Sequence, residues 1–284
     1  MKNGEGGTME PAAARRHWIS RADPKEEPSP WWYFARAVYV SRYDYKRIFL
    51  AFLAFGVPMA IVGYFFFKPL LGAAFFMAGV GLLLLAYSLI GLYRQYGHPA
   101  TQYFRGLVQW AGASGAASVA DLQIGTYRHA YRLAEVLPQA TVFSVDCWNV
   151  QGPPPEKAIR DVRDLEPPPS GHPRIRPLLA RDFSLPLPDA SCDAAVFGFG
   201  THEIPPGGPR EKLFDEAVRI VKPGGKVLLF EHGYDFHNYL IFGPVIGHVT
   251  RRADWLALLK QRFDEVRYRR TSHAVDLFAG TRRA

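Results

Sequence analysis

The most concentrated acid–base chemistry in the chain lies at Thr201-His202-Glu203, directly after an apolar run of strand length, residues 192–199. Histidine titrates near neutrality, so His202 can take a proton from a reacting group, with Glu203 orienting it or holding substrate. The other reading is a histidine that caps the strand. Glu231-His232 ends the next apolar run, with Asp235 and His237 beyond it, and these are second choices for the same work. No further residue completes a ligand set with His232 and His237, so no metal site is expected. A third group is the turn Asp121-Leu122-Gln123-Ile124-Gly125-Thr126-Tyr127, between a strand-like and a helix-like segment. Backbone amides at such a helix start favour an anion. Asp146 follows about 20 residues later, where a carboxylate at a strand end can accept both protons of a ribose diol.

These residues require a parallel sheet to bring them to one edge. From residue 118 onward, apolar runs of strand length alternate with helical patterns, as in a parallel sheet covered on both faces. Strands are expected at 118–122, 141–145, 174–179, 192–199 and 226–231, and helices at 126–137, 156–165, 210–221 and 252–261. Pro153-Pro154-Pro155 and Pro167-Pro168-Pro169 stiffen the connections around the second helix. Residues 265–271 and 274–281 are close enough in sequence to pair as an antiparallel hairpin. In such a sheet the ligand lies outside the carboxyl ends of the strands, which is where all three groups fall.

Ahead of this domain the composition changes. Residues 48–67 and 70–93 are uncharged and apolar, separated by Lys68-Pro69, and each is long enough to cross a hydrocarbon core of about 30 Å at about 1.5 Å per helical residue. Gly56 and Ala60, and Ala74 and Ala78, have the small-residue spacing that lets two helices approach closely. Arg36, Arg42, Lys46, Arg47, Arg94 and Arg105 flank the pair while its tip carries only Lys68, so a cell-membrane protein with two spans and both ends in the cytoplasm is expected. The aromatic residues between Trp31 and Tyr45 suit an interfacial lead-in helix, the alternative being a helix packed on the soluble domain. The expected organisation is a disordered tail over 1–30, the interfacial helix and transmembrane hairpin over 31–97, and the soluble domain over 98–284.

The formal charge of +8 brings no nucleic-acid module with it, and attraction to anionic lipid is the simpler account, so membrane but no nucleic acid is expected as partner. The two cysteines, Cys147 and Cys192, are far apart and imply neither a disulfide framework nor a zinc site. Nothing in the sequence indicates an oligomeric state.

Two longer stretches carry a resemblance. The runs from Asp182-Phe183-Ser184-Leu185-Pro186 to Asp193, and from Arg219 through Pro223-Gly224-Gly225 to Glu231, resemble the class I S-adenosylmethionine-dependent methyltransferases, in particular the ubiquinone and menaquinone branch. The resemblance covers residues 117–283 and not the apolar hairpin. It implies an α/β, Rossmann-like fold, mostly parallel with a C-terminal antiparallel hairpin, and S-adenosylmethionine as cofactor. It places Asp121, Gln123, Gly125 and Tyr127 at the methionine end of the cofactor, Asp146 at the ribose and Asp182 and Phe183 at the adenine, and it counts Cys147 and Gly200 among the cofactor-binding residues. The family's turn has the form acidic-x-Gly-x-Gly-x-Gly, whereas Gln123 and Tyr127 stand here in place of the first and third glycines.

The expected activity is methyl transfer to a lipid-soluble acceptor such as a quinone, an isoprenoid or a phospholipid. The apolar and aromatic residues 234–249 either line the acceptor's approach or pack over the sheet. The altered turn keeps a second reading open, a protein that binds the cofactor without methylating. A nicotinamide oxidoreductase ranks last, because its Gly-x-Gly-x-x-Gly turn is missing.

Overall fold

A computed structural model describes residues 18–97, 101–147, 157–181 and 184–284. The helix α1 (Pro30–Val40) leads into α2 (Arg42–Phe65) and α3 (Lys68–Tyr96), an apolar helical hairpin, and α4 (Thr101–Trp110) connects it to the sheet domain. There follow β1 (Ser118–Gln123), α5 (Arg128–Val136), β2 (Thr141–Asp146), α6 (Lys157–Leu165), β3 (Ile175–Leu179), β4 (Cys192–Phe197), α7 (Pro209–Ile220), β5 (Val221–His232), α8 (Phe236–Phe242), α9 (Arg252–Arg262), β6 (Phe263–Arg270) and β7 (Val275–Arg282).

The seven strands form one sheet in the order β3-β2-β1-β4-β5-β7-β6. The first five are mutually parallel, and β7 runs antiparallel between β5 and β6. Strand order therefore reverses between β1 and β4, and the crevice above that point is where a doubly wound sheet binds its ligand. Gln123 pairs with Asp146 and Leu122 with Phe197, so the ends of β1, β2 and β4 lie level beneath the crevice.

Strands buried on both faces explain the continuous apolar runs. Val119, Val142, Val196 and Leu228 pack with α4 and α5 on one face. Ala120, Val145, Phe197 and Leu229 pack with α7 and α9 on the other. One strand is longer than predicted: β5 begins at Val221 rather than Lys226, because Pro223-Gly224-Gly225 bulges within it, with Cys192 opposite Val221 and Ala194 opposite Lys226. Gly224 has φ of +75°, which glycine adopts without strain.

In the hairpin, Gly56 and Ala74 are buried. At Gly63 a Cβ would lie 2.2 Å from the backbone nitrogen of Leu71, so only glycine permits this approach. The last turns of α3 belong to the domain: Ser88, Gly91, Leu92 and Gln95 are buried, and Ser88 Oγ donates to the carbonyl of Ile241 on α8. Helix α1 also packs inward, burying Tyr33, Arg36, Ala37 and Tyr39, while Trp31 stays exposed. Residues 18–29, inside the stretch expected to be a disordered tail, run along the domain, where Ala22 N donates to the carbonyl of Leu165 and Ser170 N to that of Pro24.

Candidate active site

After β4 the chain must turn sharply, and Gly200, at φ +115°, makes the turn into the single helical turn Thr201–Glu203. Arg210 on α7 fixes that turn from below, donating to the carbonyls of His202 (2.9 Å) and Ile204 (2.8 Å). The His202 ring, 8 % exposed, donates from Nδ1 to Glu231 Oε2 at 2.8 Å, and its backbone N–H donates to Glu231 Oε1. Its Nε2 lies 3.4 Å from Glu203 Oε1. The same Glu203 oxygen is 3.1 Å from Nε2 of His248, whose Nδ1 donates to the carbonyl of Val245 at 2.5 Å.

Burial opposes the charge on His202, but Glu231 and Glu203 outweigh it and push its pKa up to about 10. Burial likewise opposes ionisation of Glu203, and the two histidines overcome it, holding its carboxyl down at about 2. At neutral pH the His202 ring therefore carries both protons, and it accepts one only after giving one up. His232 lies just behind, stacked on Phe199 at 4.2 Å and joined through Nε2 to the Tyr96 hydroxyl of α3 at 2.9 Å. Burial, then the charges of His202 and His248, hold His232 well below its usual range, so it is neutral.

The turn after β1 is engaged by the chain's own groups. Gln123 Oε1 accepts from the amides of Gly125 (2.7 Å) and Thr126 (3.0 Å). Glu166, just past α6, accepts from the Tyr127 amide (2.9 Å) and the Thr126 hydroxyl (2.7 Å) and forms a buried ion pair with Arg36. Asp146 is paired with Arg163 of α6 at 2.7 Å. A Cβ on Gly125 would meet Ile159 and Arg163 at 3.1 and 3.2 Å, so α6 lies directly on the turn. Asp121 is fully buried, accepts from Ser144 Oγ, and has its pKa raised by burial to about 8. Cys147 is buried, with its thiol pushed up by the same cause, and Tyr127 is also buried.

A cavity of about 200 Å³ opens over the switch point. Of the residues singled out in the sequence it brings together Gly125, Gly200, His202, Glu203 and His232, whereas Asp121, Gln123, Tyr127, Asp146 and Cys147 lie off its wall. Asp182 and Phe183 fall outside the described residues. It is also lined by Arg36, Ala37 and Val40 of α1, by Leu92 and Tyr96 of α3, and by Phe242, Ile246 and Val249. Sequence reasoning missed Arg36, Arg163, Glu166 and His248. His248 sits in a run that reads as apolar, and the other three reach the site only through tertiary packing.

Residues 121–229 match the family model described as a methyltransferase domain. The chain is 33 % identical over 121 residues to a ubiquinone/menaquinone biosynthesis C-methyltransferase of Syntrophotalea carbinolica, a match covering 42 % of this chain and 45 % of that protein. The chain thus spans less than half the length of the curated relative it matches. Among solved structures it is similar to a SAM-dependent methyltransferase from Aquifex aeolicus (19 % identity, 58 % of this chain and 81 % of that one, TM-score 0.44). It is also similar to human N-acetylserotonin methyltransferase in complex with SAM (16 %, 71 % and 55 %, TM-score 0.48).

Over residues 121–229 the sheet domain is similar to the class I S-adenosylmethionine-dependent methyltransferases. S-adenosylmethionine is the cofactor of that class, and the residues here suit it. The Tyr127 amide and the Thr126 hydroxyl already hold the Glu166 carboxylate, and Asp146 keeps a carboxylate at the end of β2.

Proposed function

We propose that the protein is a membrane-anchored methyltransferase acting on a lipid-soluble acceptor. The observation that carries this reading is the shared cavity: Gly125, Gly200 and His202 at the sheet edge face Leu92 and Tyr96 at the base of the apolar hairpin across one space. An acceptor leaving the bilayer along α3 would reach the reacting edge without crossing water. The hairpin suits a bilayer and not a soluble core, since only 11 % of each apolar window is buried and Phe55, Phe65, Phe75, Phe76, Leu82 and Leu83 are all exposed. The basic flanks favour cytoplasmic ends.

When bound, S-adenosylmethionine supplies a methyl group on a sulfonium, and its transfer depends chiefly on alignment with the acceptor. The amides after Gln123 would hold the cofactor's carboxylate and Asp146 its ribose, each after releasing its internal partner. Tyr96, His232 and Phe242 would shape the acceptor's seat, and His202 with Glu203 would hold its polar group. The similarity to a quinone-pathway C-methyltransferase favours a quinone-like ring.

The occupied turn favours a second reading, a protein that binds the cofactor without transferring its methyl group. Purified protein, methyl-labelled cofactor and total lipid from the producing cells separate the two. Label entering the organic phase supports the transferase; cofactor binding by calorimetry without any labelled lipid supports the second reading and overturns the first.

A further inference from the structure

The geometry points to a binding site for one divalent transition-metal cation, of the zinc type, formed by His202, Glu203 and His248 and open toward the cavity. The three donor atoms, Nε2 of each histidine and Oε1 of Glu203, all lie within 4.8 Å of one another. Two donors each about 2.0–2.1 Å from a tetrahedral zinc stand roughly 3.3 Å apart. The two edges that meet at Glu203, 3.4 and 3.1 Å, match that separation. The third, between the two Nε2 atoms, is within 4.8 Å and closes by a small adjustment of His248, whose side chain is 34 % exposed.

The outer partners agree. A histidine that binds metal through one nitrogen almost always donates from the other to a carboxylate or a carbonyl. Here Nδ1 of His202 donates to the buried carboxylate of Glu231, and Nδ1 of His248 donates to the carbonyl of Val245. A carbonyl and a carboxylate can only accept, so both protons are fixed on Nδ1 and both Nε2 atoms converge on one carboxylate oxygen. Something positive must lie among these three atoms. Protons on the two Nε2 atoms satisfy the arrangement, and one cation displacing them satisfies it as well. Arg210 holds the backbone of His202 in place from below, so the first ligand is positioned before any ion arrives.

Two imidazoles and one carboxylate favour zinc or a neighbouring transition metal over magnesium or calcium. With three protein ligands, a tetrahedral ion keeps one position free, as in catalytic zinc sites. That position faces the cavity shared with the hairpin, where it would take an oxygen atom of the acceptor, a role that rests on the reading as a lipid methyltransferase. Cation binding itself does not depend on that reading.

The test uses the full chain in detergent, with any polyhistidine tag removed, stripped with chelator and titrated with zinc by calorimetry and elemental analysis. One zinc per chain is expected. His248→Ala, on an exposed turn, should keep the thermal melt of the parent and lose more than the roughly 10–100-fold in affinity that removal of a supporting partner costs, whereas Glu231→Gln should lose about that amount. A stripped parent chain that takes up no zinc, or a His248→Ala variant that binds as tightly as the parent, overturns the site. Zinc bound at these residues in a protein that labels no lipid would leave the site standing and sink the methyltransferase reading.

Discussion

Arg36, on the helix that leads into the apolar hairpin, and Glu166, just past α6, form an ion pair in which the side chains are 4 % and 2 % exposed. The same Glu166 carboxylate holds the Tyr127 amide and the Thr126 hydroxyl, so one buried charge ties the hairpin's approach to the turn after β1. Removing one partner of such a pair leaves the other charge buried without compensation, which typically costs about 3–5 kcal/mol. Arg36→Ala should therefore lower the thermal midpoint of the protein in detergent by several degrees or more. A substitution at exposed Arg47, on the same basic flank, should leave it unchanged. Equal melts for the two variants would mean that the pair does not hold α1 to the domain.

Asp146 and Arg163 yield a prediction of opposite signs. If Asp146 receives the ribose, Arg163 competes for it, and the two residues must affect cofactor affinity in opposite directions although they touch each other. Asp146→Ala should weaken S-adenosylmethionine binding by at least tenfold, because charge-assisted hydrogen bonds of about 1.5–3 kcal/mol each are lost. Arg163→Ala should tighten it. Gln123→Ala should also tighten it, by about 5- to 150-fold, since two amides now bonded to Gln123 Oε1 become available at a net of about 0.5–1.5 kcal/mol each. Calorimetric titration measures all three, and weakening by Gln123→Ala would mean that this side chain supports the cofactor's seat rather than competing for it.

The sheet was legible because its strands are apolar on both faces and their order sets the crevice. The strands expected at 118–122 and 141–145 differ from β1 and β2 by one residue each. The position of His202, in the turn just past a buried strand, was legible for the same reason. Its Nδ1 partner was named only as a second choice, because Glu231 lies twenty-nine residues away and comes near through the pairing of β4 with β5. The contents of the turn after β1 were not legible. Gln123 and Tyr127 read as missing glycines, while the groups that engage the turn, Arg163 on α6 and Glu166 just past it, are brought there by a packing that no local pattern encodes.

Asp121 makes stability depend on pH. Burial raises its pKa to about 8 from an ordinary 3.8, so between those values the folded protein keeps a proton that the unfolded chain has released. Its contribution to stability is therefore complete below the unfolded value and is lost progressively as pH rises to about 8, at up to about 1.4 kcal/mol per pH unit. Buried His129, held well below 6.5 by burial and by the charges of Arg128 and Arg36, acts in the other direction and only below the ordinary histidine range. From pH 6.5 to 8 His202, with its pKa pushed up to about 10, acts in the same direction as Asp121, so Asp121 is read from the difference between parent and variant. Urea unfolding there should show stability falling with pH in the parent and a flatter profile in Asp121→Asn, whose neutral amide cannot lose a proton. Parallel profiles would mean that Asp121 is ionised in the folded protein.

The final prediction concerns how the hairpin sits. Helices of 24 and 29 residues are longer than the roughly 20 that a bilayer needs. The excess is accounted for at the domain end, where Ser88, Gly91, Leu92 and Gln95 of α3 are buried against the protein. At Gly91 a Cβ would come within 2.4 Å of Ile241, so α3 and α8 meet without room for a side chain. The span should therefore end before Ser88, with Lys68 at the far surface, hydrogen-bonded to the Tyr64 carbonyl. A single cysteine placed at Lys68 should react with a membrane-impermeant maleimide in intact cells, and one placed at exposed Ser272, between β6 and β7, should react only after lysis. Gly91→Leu should leave this pattern intact, because insertion depends on the apolar run, but should separate α3 from α8 and raise the protease sensitivity of the domain. Labelling of Ser272 in intact cells would reverse the orientation, and labelling of both sites only after lysis would mean that the hairpin does not cross the membrane.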